Sequence, residues 1–214
     1  MTGAIKSFNQ KNLKIKDGMV NRRADQGFNA VIDLFSSVLG ERCVGVEKEL
    51  LQKKLRFDGF RYITELDLQY IVENRLWERS FNLELSSDIP VTDAFAEIGD
   101  CLFEAVAKGG LGIKSLTWRC VRGNLDDGEQ ARYLERLSIP LITARIKALD
   151  LSHIKLEHRE GSGTWRLTCQ SMIGSTTWVL IPPVLQTIKP RPDEVAQLLE
   201  FLELAADAVI NNQP

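Results

Sequence analysis

Histidine is almost missing from this chain: His153 and His158 are the only two among 214 residues. Five apart on one strand-like run, Ser152–Arg159, they point to opposite faces and cannot both hold one metal from regular β structure. A structural or solvated role is expected for both. Cysteine is equally sparse. Cys43, Cys101, Cys120 and Cys169 lie far apart with no CxxC spacing, which excludes a thiol-rich metal knuckle and suggests reduced, mostly buried thiols in a cytoplasmic setting.

Long apolar runs are lacking too. The longest uncharged stretch, 167–188, is rich in Thr, Ser, Gln and Pro, so no membrane-spanning helix is expected. The N-terminus lacks the apolar core of a secretory signal. A phosphate-cradling loop is also missing: the glycines of 108–112 follow a helix-like segment instead of opening one, and suit helix termination. No Ser-His-Asp or Cys-His set can be read from local spacing. No catalytic residue, metal or cofactor is therefore assigned.

What is present is an ordinary globular composition, 44% apolar and 26% charged, with a net charge of -2 that argues against a protein wholly devoted to polyanions. Positive charge gathers locally. Residues 1–24 hold six Lys or Arg against Asp17 alone and are expected to form a flexible basic arm.

Beyond the arm, residues 25–214 are expected to form a single compact unit, with helices over 25–79 and a sheet with helices over 80–214. Apolar residues recur at helical spacing over 25–39 and 46–56. Thr64 with Asp67 resembles a capping box opening a helix over 64–78, apolar on two sides and ending near Trp77. Three short helices admit a helix-turn-helix, but the 57–63 connection is long and Glu65, Asp67 and Glu73 oppose phosphate.

Residues 80–86 and 116–120 alternate as strands, and Pro90 with Thr92 introduces a helix over 92–108. A helix from 127 restarts at Pro140 and runs to 149. Strands follow at 153–159, 164–172 and 175–181, divided by the turn-like Glu160–Gly163 and Ile173–Ser175. Trp178–Ile181, apolar on both sides, suits a central strand covered twice. A helix over 193–210 closes the pattern.

The expected fold is α+β: a mainly antiparallel sheet of about five strands covered by helices, with a helical N-terminal part. Function is expected to lie in protein contacts, as an adaptor, assembly factor or regulator, with a protein partner or self-association and no membrane. Arg119, Lys155, Arg159 and Arg166 fall on outward strand positions, and Trp77 on the doubly apolar segment; these five form the candidate binding surface. The alternatives are nucleic-acid binding by the arm and a basic sheet face, or a small-molecule enzyme with a pocket between sheet and helices.

Overall fold

A computed structural model of the chain describes residues 18–91, 99–108 and 115–211. Four α-helices and nine strands occur among them: α1 (Met19–Leu39), β1 (Cys43–Glu49), β2 (Gln52–Phe57), β3 (Glu65–Asn74), β4 (Glu78–Pro90), β5 (Cys101–Lys108), β6 (Ser115–Gly123), α2 (Asp127–Leu137), α3 (Pro140–Ala148), β7 (Leu151–His158), β8 (Thr164–Val179), β9 (Val184–Thr187) and α4 (Pro192–Ile210). Every strand pairing is antiparallel, in the order β1-β2-β3-β4-β8-β7-β5-β6, with β9 flanking the end of β8. Among the described residues no helix is long and apolar enough to cross a membrane.

The sheet is therefore nearly twice the expected size, and the N-terminal part is largely strand. Residues 46–56 form a hairpin. Lys53, Leu55 and Phe57 alternate inward, and the chain reverses at Leu51, whose φ is +59°. Residues 64–78 are β3 and the turn after it, with Leu66, Leu68 and Tyr70 buried on one side and Asp67 and Gln69 on the other. The Thr64/Asp67 pattern caps nothing, and with strands in place of its second and third helices the helix-turn-helix reading falls. Residues 101–108 are also strand, with Cys101 and Phe103 buried. Of the expected helix there, 92–98 lies outside the described residues, as do 1–17 of the expected basic arm; 19–24 of that arm belong to α1.

Strands 164–172 and 175–181 are one bent strand, because both halves pair with β4: Thr164–Ser171 opposite Leu83–Pro90, and Thr176–Val179 opposite Glu78–Phe81. Gly174 makes the bend with φ +86°, and a Cβ there would stand 2.7 Å from Leu83 Cδ2, so only glycine fits. The buried Tyr70 hydroxyl closes the bulge by donating to the Gly174 carbonyl at 2.7 Å. The expected doubly covered strand at 178–181 also fails. Trp178 and Val179 are half-buried, and Leu180 and Ile181 project beyond the strand.

The helices cover one face of the sheet. Phe28 of α1 stacks on Tyr70 at 4.3 Å, and Tyr133 of α2 meets Phe103 and Trp165 at 5.4 and 5.5 Å. Helix α4 buries Val195, Leu198, Leu199, Phe201 and Leu202. It also holds the 58–63 loop through Glu203, whose carboxylate accepts the backbone N–H groups of Arg61, Tyr62 and Ile63 at 2.9–3.1 Å. Among the described residues no helix covers the opposite face of the sheet.

Candidate interaction surface

The open face carries the four cations expected from the sequence, but each faces a carboxylate, on another strand for Arg119, Lys155 and Arg166 and on the preceding strand for Arg159. Arg119 of β6 and Lys155 of β7 share Glu104 of β5, at 3.2 and 3.5 Å. Arg159, just past β7, and Arg122 of β6 share Glu157 at 3.1 and 2.9 Å. Arg166 of β8 reaches Asp88 at 3.1 Å, Asp67 at 3.7 Å and the Ser86 hydroxyl at 2.9 Å. Farther along, Lys54 bridges Glu65 and Asp67; its hydrogen bond to Glu65 holds the ammonium above its ordinary value and the Glu65 carboxyl below its own. Exposed pairs of this sort contribute little stability each, roughly 0–1 kcal/mol. What they do is set a carboxylate beside each cation, so the face is a mosaic of both signs.

Lys155, Arg159 and Arg166 are nonetheless brought together. Lys155 and Arg166 line one depression of about 390 Å³, and Arg159 and Arg166 line its neighbour of about 330 Å³, with Glu157 bordering both. Arg119 stands apart on the edge strand β6.

Trp77 lies in a different place, at the tip of the β3–β4 hairpin. The Arg75 N–H donates to the Glu78 carbonyl at 2.8 Å, which leaves Leu76 and Trp77 as the two central residues of the turn. Solvent-exposed turns of this size ordinarily carry Gly, Asn or Asp there. Leu76 is instead 81% exposed and Trp77 58% exposed, and no described residue buries either. A second tip meets the first: the Leu180 N–H donates to the Trp77 carbonyl at 3.0 Å, and Leu180, Ile181 and Val184 of the β8–β9 turn are exposed as well. The two turns together form an apolar lip at one end of the sheet, bordered by Arg75 and Glu73, which lie 3.7 Å apart.

Sequence reasoning marked Trp77 but missed Leu76, Leu180, Ile181 and Val184. The legible signal was Leu-Trp at a hairpin turn, which becomes visible only once 65–74 and 78–90 are recognised as paired strands.

Other groups serve the fold. His158 is buried against Trp165, with Nδ1 3.2 Å from the Gly99 carbonyl, whereas His153 is exposed on the open face. Among the described residues no His, Cys, Asp and Glu cluster suits a metal ion. On the helix side, Phe35, Leu149, Val195 and Leu198 close around a space of only about 10 Å³, room for one water. Burial pushes the Cys101 and Cys169 thiols up to about 12, while Cys43 and Cys120 are half-buried. Thiolate is the reactive form. Labelling the native protein with a thiol reagent at pH 8 is thus expected to modify Cys43 and Cys120 promptly and the other two only on unfolding. Prompt modification of all four would contradict the packing around β5 and β8.

The family model described as "Protein of unknown function (DUF3156)" matches residues 36–209, which takes in every strand and most of the helical cover. No curated protein and no solved structure matches the chain.

Proposed function

We propose that this chain, which belongs to the DUF3156 family of proteins of unknown function, is a binding protein that works through protein contacts at its apolar lip. The observation that carries this reading is the exposure of Leu76, Trp77, Leu180 and Ile181 on two adjoining turns, where folding alone favours small polar residues. Trp is also the side chain that most often dominates binding at protein interfaces.

The occupant is a different protein offering an apolar pocket. Hairpin tips project, and a projecting patch is complemented by a concavity. A handful of side chains presents on the order of a few hundred Å², well short of the roughly 800 Å² per partner that a stable flat interface buries. Two copies meeting tip to tip through the lip alone would therefore bind weakly. Carboxylate pairing on the sheet face favours this reading over nucleic-acid binding, which needs unneutralised cations along a track.

The test is affinity capture with wild-type protein and an Ile181→Arg variant as parallel baits, followed by direct titration of the captured protein after purification. A partner that binds the wild type and not the variant supports the reading. Equal capture by both baits sinks it, and so does light scattering that shows a wild-type dimer broken by Ile181→Arg, since that assigns the lip to self-association.

A further inference from the structure

The open face holds a second feature, independent of the lip. Strand β7 slips register against β8 between Ser152 and Lys155, and within the slip His153 adopts φ +49°, a left-handed conformation uncommon for any residue but glycine. Bulges of this kind re-aim side chains and recur beside binding sites. Here the slip sets His153 at the border of the 390 Å³ depression, a volume within the range of small-molecule sites.

The depression is lined by Glu84 and Arg166 on its β4–β8 side and by Lys155 and Glu157 on its β7 side, and these four charges are unequally paired. On the β4–β8 side Glu84 accepts from the Nε2 groups of Gln69 at 2.6 Å and Gln170 at 3.3 Å, and among the described residues no cation pairs with it. Asp67 and Asp88 both draw on Arg166, and Asp67 also on Lys54. On the β7–β5–β6 side four cations, Arg119, Arg122, Lys155 and Arg159, share two carboxylates, Glu104 and Glu157. Among the described residues Lys155 pairs only with Glu104, at a long 3.5 Å. The His153 ring and the Thr168 hydroxyl have no hydrogen-bond partner among the described residues and line the space between the two sides.

We propose that this depression binds a small zwitterion of about di- or tripeptide length, its ammonium on Glu84 and its carboxylate on Lys155, with Thr168 and His153 hydrogen-bonding between them. A ligand carrying both charges answers both of these weakly paired groups, whereas a simple anion meets Glu84 and a simple cation meets Lys155. The register supplies the length. Glu84 lies opposite Gln170 and Lys155 opposite Thr168, so the two are two strands and two residues apart, roughly 12 Å between Cα atoms. That separation is close to the roughly 10 Å that an extended tripeptide spans.

The probe is unblocked trialanine, titrated into the full chain and followed by amide NMR, alongside N-acetyl-trialanine and trialanine amide. Trialanine is expected to shift the resonances of His153, Thr168 and Gln170, and each blocked peptide to bind at least tenfold more weakly. The isosteric Glu84→Gln variant should lose its preference for the free amine, and Lys155→Met its preference for the free carboxylate, while Ile181→Arg changes neither. Absence of any shift at millimolar trialanine overturns the proposal, as do equal shifts from the blocked peptides. Because the blocked peptides are compared on unaltered protein, the result stands even if a variant fails to fold, and it is separate from the fate of the lip.

Discussion

Replacing Asp25 by alanine is expected to cost about 3–5 kcal/mol, because it strands a buried lysine without its counter-ion. The Lys53 side chain is 2% exposed on the covered face of β2, and its ammonium reaches Asp25 of α1 at 2.7 Å. The same Asp25 oxygen accepts the Leu51 N–H at 2.8 Å, and so pins the hairpin turn in which Leu51 holds its left-handed φ. Lys53 also donates to the Glu49 carbonyl and lies 5.4 Å over the Phe28 ring, so it cannot swing out to water without undoing the β1–β2 turn.

The expected loss is a large share of the roughly 5–15 kcal/mol that holds a typical domain together. Lys53→Met should be much milder: Asp25 is 17% exposed and keeps the Leu51 N–H, and a methionine fills the lysine's path with no charge to desolvate. Urea denaturation of the two variants decides the matter. If Asp25→Ala proves no worse than Lys53→Met, the pair is not the buried lock described here.

The second large effect is expected at the lip. Trp77→Ala combined with Ile181→Ser should weaken partner binding by about 100-fold or more, from the roughly 2–4 kcal/mol that a central aromatic anchor contributes. Stability should hardly change, since both side chains are exposed and surface substitutions usually stay within about 0.5 kcal/mol. Titration with the purified partner and a thermal melt of the same sample read both quantities. A double variant that melts well below the wild type shows that the lip supports the fold, and the loss of binding would then follow from unfolding.

How much of this was legible in the residues differs from segment to segment. The helices at 127–149 and 193–210 and the strands at 80–86, 116–120 and 153–159 follow from local periodicity, because one face of each is apolar at the spacing its geometry needs. Segment 46–56 was misleading for a specific reason. It is built mostly from Glu, Lys, Leu and Gln, all good helix formers, and the inward alternation of Lys53, Leu55 and, just past it, Phe57 begins with a lysine. Nothing nearby says that Lys53 is buried, since its partner Asp25 lies 28 residues back. In 64–78 both strand faces carry some apolar residues, Leu66, Leu68 and Tyr70 on one and Ile71 on the other, which mimics a helix greasy on two sides.

The candidate surfaces were half legible. Outward placement of Arg119, Lys155 and Arg166 follows from alternation, and their pairing does not. Carboxylates such as Glu104, Asp67 and Asp88 reach them only through strand neighbours, in an order that no local pattern reveals. The lip is the extreme case, joining Trp77 to Leu180 across about a hundred residues of chain.

By itself the sequence determined the kind of structure: antiparallel strands and helices, most of them with one greasy side. Tertiary structure decided which strand lies beside which, and with that where opposite charges pair, where an isolated carboxylate stands across from a surplus of cations, and where two apolar turns meet. The division has a physical cause. Periodicity is set by sterics within a few residues, whereas neighbour and register in an antiparallel sheet are set by the summed fit of distant surfaces.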